Sequence, residues 1–441
     1  MGDSRASCAA EGLVGELAWR GLLHQHTGGH EFARHLETPG RVGYCGFDPT
    51  KDSLTVGNLV PIMLLRHWQR AGHKPIVLLG GGTGLIGDPS GKDSERQLLS
   101  RGQVEANAAA QRRILERLLD FSPQLPNAAV LVDNADWLES LTFVEVLRDI
   151  GKHFSVNAMI QKDSVRERLR NREQGISYTE FSYMLLQAYD FWHLYRTQSC
   201  TVQMAASDQY GNIVSGIDTI HRKVGRGPGG GDRAFALTAP LLTAADGKKM
   251  GKSGNNAIFL SAAHTSPYAF YQFWLNADDA DVVGLLKWFT MLGKAEIEQI
   301  ARQQQARPHE RMAQRTLARE LTTLVHGEDE LRKAEAASQA LFGADLRELS
   351  EQMLQDVFAD VPHSSHEASL LQAGVRLVDL LPRTSLVRSK REARQFLDGG
   401  AIAINGTRAE PGHVLTSSDL LHAHTILLRR GKKHWHATRW T

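Results

Sequence analysis

The stretch from 41 to 82 places the tightest limit on the fold. "RVGYCGF" (41–47) reads as a buried strand, "LVPIMLLRHWQRAG" (59–72) has the 3.6-residue apolar spacing of a helix packed on one face, and "KPIVLLGGG" (74–82) is a second strand running into glycines. Strand, crossover helix and strand make the repeating unit of a parallel sheet. The strand pattern recurs in "AAVLVDN" (128–134) and "SCTVQMA" (199–205). The expected fold class is α/β, with a doubly wound, Rossmann-like parallel sheet in the first domain. At 441 residues and 42% hydrophobic content, the chain has room for two or three domains.

From about 263 to 345 the apolar spacing is helical, as in "PYAFYQFWLN" and "RMAQRTLARELTTLVHG". Residues 346–373 are mixed and Ser-containing and read as a linker. Residues 374–441 change style, with a basic helix "SKREARQFLDGG" followed by short strands "AIAING" and "HTILLRRGKKHWHAT". The expected division is therefore 1–262, 263–345, a linker at 346–373, and 374–441. Charge follows the same division: residues 375–441 hold 12 Lys/Arg against 5 Asp/Glu, although the whole chain carries only +2. A basic terminal module fits either a polyanion partner or a solubilising surface.

Cys8, Cys45 and Cys200 are far apart and show no paired spacing, so neither zinc nor a disulfide framework is expected, and a reducing, cytoplasmic setting fits. No run approaches about 20 apolar residues, so no membrane span is expected. The acidic N-terminus does not read as a transit peptide.

Three segments carry chemistry. "GGGTGLIGDPSGK" (80–92) contains a formal dinucleotide fingerprint, but a complete strand and helix precede it, where such a fingerprint should open the first unit. An organic cofactor is therefore not expected, and the glycines point instead to close approach of a ligand. "DGKKMGKSGNN" (246–256) sets Lys249 and Lys252 on either side of a glycine, a double cation suited to a polyphosphate. In "YTEFSYMLLQAYDF" (178–191), Tyr183, Gln187 and Asp190 fall on one helical face. Taken singly, these read as readily as a solvated loop and a satisfied core network.

Their order and spacing carry more. "YCGFDPT...DSLTVGN", "GLIGDPSGK", "GKHFSVN", "GISYTEFSYMLLQAYDF", "SDQYGN" and "KMGKS" occur here as they do in bacterial-type tyrosyl-tRNA synthetases, and the resemblance runs over almost the whole chain. It implies an all-helical domain after the sheet and a small α+β tail similar to the RNA-binding module of ribosomal protein S4. It also implies a ligase that joins tyrosine to ATP as tyrosyl-adenylate and then charges tRNA(Tyr), with Mg²⁺ accompanying ATP.

By that resemblance, Lys249, Lys252, Lys92, Arg96 and Thr50 hold the departing pyrophosphate. Asp48, Thr55, Gly57, Asn58, Asp208 and Ser253 belong with ATP. Tyr44 and Asp190 bond the substrate phenol, Asp88, Tyr183 and Gln187 surround its ammonium group, and Gln209 lies near its carboxylate. The tail offers Arg388, Lys390, Arg391, Arg394, Arg429, Arg430, Lys432 and Lys433 to RNA. A homodimer is implied, with 151–165 near its interface.

The chain departs from the family in two places. Thr55-Val56-Gly57-Asn58 stands where His-x-Gly-His is common, and Ala205-Ala206 stands where two glycines are common. These departures admit an alternative, a synthetase-like protein that binds RNA or senses tyrosine with weakened activation chemistry.

Overall fold

A computed structural model describes residues 12–88, 98–162, 165–166, 169, 176–227, 231–243, 250–253, 256–340, 346–358, 361–431 and 434–441. The chain divides into two compact units: residues 1–265 with 273–325, and residues 266–272 with 326–441.

The first unit is built on a six-stranded sheet of β1 (Gln25–His26), β2 (Val42–Phe47), β3 (Lys74–Leu79), β4 (Val130–Asp133), β5 (Cys200–Ala206) and β6 (Phe235–Ala239), in the order β1-β6-β5-β2-β3-β4. β1 runs antiparallel to β6, and every other pairing is parallel. Five residues of β3 in succession are buried, as expected for a parallel strand covered on both faces. From β2 the chain steps outward to β3 and β4, then crosses back to place β5 on the other side of β2. The strand order therefore reverses between β2 and β5, and the crevice beyond their carboxyl ends is where such sheets bind ligands.

The helix Val56–Arg70 connects β2 to β3. It is buried almost all round rather than on the one face its spacing suggests, and Leu59, Ile62, Met63, Leu65 and Trp68 are all solvent-inaccessible. The reason is non-local: the helix Val282–Phe289 packs on its outer side. Arg20, only 1% exposed, joins that helical segment to the unit by donating to the carbonyls of Lys287, Thr290 and Leu292, which are acceptors left over at a helix end. The segment 273–325 thus belongs with the sheet, although its sequence reads as a separate helical domain.

The second unit holds a five-stranded sheet in the order 407–408, 402–404, 425–430, 434–440 and 363–366. The strands 425–430 and 434–440 form an antiparallel hairpin, and the helix Lys390–Asp398 packs over a core that includes Leu377, Leu397, Ile426, Leu428 and Trp440. Residues 346–373, read from composition as a linker, carry the helix Glu351–Val357 and the strand His363–His366, which pairs in parallel with 437–440. "HSSH" has no apolar alternation, so nothing local marks it as a strand. Its pairing comes from the distant edge it meets.

Candidate active site

A cavity of about 620 Å³ opens at the carboxyl ends of β2 and β5, inside the first unit. Its wall brings together Tyr44, Asp48, Thr50, Thr55, Gly57, Asn58, Asp88, Tyr183, Gln187, Asp190, Asp208 and Gln209, which span more than 160 positions of sequence. Two helices begin at its rim: Val56–Arg70 after β2, and Tyr210–Val224 after β5. The positive ends of both helix dipoles therefore lie at the cavity, which favours an anion there. Met250 also lines the wall, and Gly251, Lys252 and Ser253 follow it in the chain. Lys252 and Ser253 form a two-residue strand paired with Asn256 and Ala257. Lys92, Arg96, Lys249, Lys432 and Lys433 lie outside the described residues.

The deepest group is Asp190, on the helix Tyr178–Gln198 and 1% exposed. Asn134 Nδ2 donates to one carboxylate oxygen at 2.9 Å and Trp137 Nε1 to the other at 2.7 Å. Burial pushes Asp190 up to about 7, while the two donated hydrogen bonds pull the other way. Beside it, Tyr44 is 1% exposed and its hydroxyl is buried without a partner among the described residues. Burial, and then the nearby Asp190, hold the Tyr44 phenol well above its usual range, so it stays protonated. An orphaned buried hydroxyl next to a buried carboxylate makes a polar pocket that a ligand hydroxyl would complete.

Asn134 links this pocket to the glycine segment. Its Nδ2 also donates to Thr83 Oγ1 at 3.0 Å, and its Oδ1 accepts from the Gly82 and Thr83 backbone N–H groups at 2.8 and 3.4 Å. All four hydrogen-bonding positions of the amide are filled, which fixes its orientation. Thr83 Oγ1 donates onward to Asp48 Oδ1 at 2.8 Å, and the Tyr183 hydroxyl donates to Asp48 Oδ2 at 2.8 Å. A second network ties Gln209 Nε2 to Asp88 at 2.6 Å and Asn212 Nδ2 to Gln187 Oε1 at 3.0 Å. Acceptors and carboxylates thus cluster on the side of the cavity formed by Asp88 and Gln187, an arrangement that suits a cation such as an ammonium group.

Gly80 lines the cavity, and Gly80 and Gly81 also leave room for side chains of the protein itself. A Cβ at Gly80 would lie 2.1 Å from Asp48 Oδ1, and one at Gly81 would lie 2.3 Å from Asp133 Oδ1. What approaches the backbone there is the protein's own carboxylates, and Asp133 accepts from Gly81 N at 3.0 Å. At Gly57 a Cβ would meet only Thr55 Oγ1, at 3.6 Å. The fold has room for a side chain there, so the open space belongs to the cavity.

Thr83, Asn134, Trp137 and Asn212 escaped the sequence reading. Asn134 stood at the end of an expected strand, where ligands of a parallel sheet collect, and Thr83 and Asn212 lay inside motifs already singled out. Nothing in the sequence marks Trp137. Ala205 and Ala206 both line the cavity at the end of β5, as their position suggested.

The chain matches the family model for class I tRNA synthetases (W and Y) over residues 39–343, and that for the tyrosine–tRNA ligase SYY-like C-terminal domain over 353–438. It is 48% identical over 429 residues to a tyrosine–tRNA ligase of Roseiflexus castenholzii, and 47% identical over 429 residues to that of Geobacillus stearothermophilus. Each match covers 97% of this chain and 99% of the relative. Among solved structures, a C-terminally truncated Aspergillus nidulans mitochondrial tyrosyl-tRNA synthetase is similar at a TM-score of 0.66 and 32% identity, covering 75% of this chain and 94% of that one. With a sheet reversing at a polar, buried hydroxyl pocket and with matches of this extent, the chain belongs to the tyrosine–tRNA ligase family of class I synthetases.

Proposed function

We propose that the protein activates L-tyrosine with ATP and transfers the tyrosyl group to the 3′-terminal adenosine of tRNA(Tyr). The observation that carries this reading is the pair at the cavity floor: the unpartnered, buried Tyr44 hydroxyl beside Asp190, whose carboxylate is held from behind by Asn134 and Trp137. A substrate phenol completes both groups. A phenylalanine ring would leave the Tyr44 hydroxyl unpaired and deny Asp190 the substrate's donor, at the usual penalty of about 1–3 kcal/mol per group so stranded. This enzyme family is the standard instance of discrimination between tyrosine and phenylalanine near 10⁵ without editing.

Asp88, Gln187 and Tyr183 receive the ammonium group. The tyrosine carboxylate then attacks the α-phosphorus of ATP in line, the bond to the bridging oxygen breaks, and pyrophosphate leaves. Here the protein positions the reactants and neutralises charge, the helix N-termini at Val56 and Tyr210 acting together with Lys249, Lys252, Lys92, Arg96 and Thr50. Asp208 and Gly57 lie with the ribose. In the second step a ribose hydroxyl of the tRNA attacks the adenylate carbonyl and AMP departs.

Among the described residues, no group of three or more His, Cys, Asp or Glu is placed to hold a metal ion. A Mg²⁺ accompanying ATP takes phosphate oxygens and waters rather than a protein cage, and supplies charge neutralisation. The four exposed cations Arg388, Lys390, Arg391 and Arg394, with Arg429 and Arg430, offer the second unit to tRNA phosphates. We assign the helical segment 263–345 to the anticodon side of the tRNA and the last residues, 374–441, to RNA binding. The large apolar residues Phe143, Val144, Leu147, Val156, Ile160 and Tyr178 are each exposed in the first unit and support a homodimer, which a monomeric mass in light scattering would exclude. No described helix is long and apolar enough to cross a membrane, and a cytoplasmic setting is proposed.

The test is exchange of labelled pyrophosphate into ATP. Exchange is expected with tyrosine and not with phenylalanine. Its absence with tyrosine would favour the binding or sensing alternative, and equal exchange with both would remove the phenol assignment.

A further inference from the structure

We infer that Thr55 does not bind ATP directly but acts on it through Asn58, the two residues forming one clip that replaces the family's paired histidines as a unit. The inference rests on the tyrosine-activating reading above and assigns Thr55 as a positioning residue.

The geometry is specific. The Thr55 backbone N–H donates to Asn58 Oδ1 at 2.9 Å, and the Thr55 hydroxyl donates to the same oxygen at 3.0 Å. A backbone N–H can only donate, so the Asn58 atom facing it is the amide oxygen, and the side chain cannot turn over without setting donor against donor. Two consequences follow. The single hydroxyl proton of Thr55 is already engaged, so toward the cavity Thr55 offers only lone pairs, which repel a phosphate oxygen. Asn58, which forms part of the same wall, keeps both hydrogens of Nδ2, and no described residue accepts from them. Of the two side chains, the phosphate donor is therefore the Asn58 amide.

Thr55 is itself held from the other side. Leu260 N donates to Leu54 O at 2.8 Å, Val56 N donates to Ile258 O at 3.0 Å, and Thr55 bridges to Phe259. Ile258 N in turn donates to Gly251 O at 2.9 Å, which ties the clip to the segment that carries Lys252. The arrangement is a helix-start box in which the residue at the third helical position reaches back to the cap. A histidine at 58 has no acceptor shaped like Oδ1 for two converging donors, so Asn58→His alone would break the box.

The experiment measures tyrosine-dependent ATP–pyrophosphate exchange and thermal unfolding in the full chain. Asn58→Asp keeps an acceptor for both Thr55 donors and places negative charge at a helix start, so its Tm should equal or exceed that of the wild type. It also turns an anion toward the phosphates, so kcat should fall by about 10²-fold with a raised KM for ATP and an unchanged KM for tyrosine. Thr55→Val should lower kcat by about tenfold, the worth of one such hydrogen bond, and Thr55→Ser should restore it. Asn58→His alone should be more impaired than the double variant Thr55→His with Asn58→His.

Wild-type exchange by Asn58→Asp, a lowered Tm in that variant, or a loss in Thr55→Val as deep as in Asn58→Asp and not rescued by serine would each overturn the inference. Absence of exchange in the wild type would instead overturn the activity on which it rests.

Discussion

Asp190 shows how much one residue owes to neighbours that are distant in sequence. Its type and position on a helical face were legible, because a carboxylate three residues after Gln187 and seven after Tyr183 falls on one side of a helix. That it is buried and held by Asn134 and Trp137 was not legible, since those residues are more than 50 positions away. In the folded state this carboxyl binds its proton more tightly than in the unfolded chain. Its contribution to stability therefore falls as pH rises from the unfolded value of about 3.9 toward 7. The same shift has a catalytic signature. kcat/KM for tyrosine should rise with pH through a limb near 7, as the carboxylate that accepts the phenol forms. Trp137→Phe keeps the ring stacked on His193, at a centroid distance of 4.3 Å, but removes a donor to the charged form. It should move the limb to higher pH and weaken discrimination against phenylalanine. A limb left in place would show that Trp137 does not act on Asp190.

Among elements, the central strands and the Tyr178–Gln198 helix follow from local pattern, whereas the short strand His363–His366 does not. A polar chain through the buried His436 fastens that strand at its edge. Ser385 N–H donates to His436 Nδ1 at 3.1 Å, which leaves His436 Nε2 as donor to Ser364 Oγ at 3.0 Å. Ser364 in turn meets His366 Nε2 at 2.8 Å. The chain requires a neutral imidazole at 436. Burial, and then the neighbouring His366 and His363, lower His436 to about 4, and burial followed by Arg383 lowers His366. Because the unfolded histidine, near 6.5, binds the proton more readily, the stabilisation is complete above about 6.5 and is lost as pH falls toward 4. The Tm of the transition that melts this sheet should fall over that window, and His436→Gln should flatten the dependence. An equal slope in both proteins would place the effect elsewhere.

At the scale of the whole molecule, the surplus of cations in the last segment was visible as composition, but their availability was not. Arg388, Lys390, Arg391 and Arg394 are exposed, although Lys390 is paired with Asp379 at 2.7 Å. Arg429 instead lies over Trp435, and Arg430 over Phe396, at about 5 Å, so part of the basic count serves packing. Replacing Arg388, Arg391 and Arg394 by glutamine should leave pyrophosphate exchange intact while weakening tRNA charging. The salt dependence of tRNA binding should flatten by roughly one unit of slope for each phosphate no longer neutralised. An unchanged slope would remove these three residues from the RNA surface.

The sequence by itself determined the parallel sheet, the helical segments, the residue types at the site and the family, because periodicity and motif order are local properties written along the chain. Only the tertiary structure decided that "HSSH" is a strand, that residues 273–325 join the sheet unit, that the glycines at 80 and 81 make room for carboxylates, and that Thr55 spends its proton on Asn58. Burial and hydrogen-bond pairing are settled by whichever groups meet across space. In a chain where the pairs lie tens to hundreds of residues apart, no local pattern carries that information.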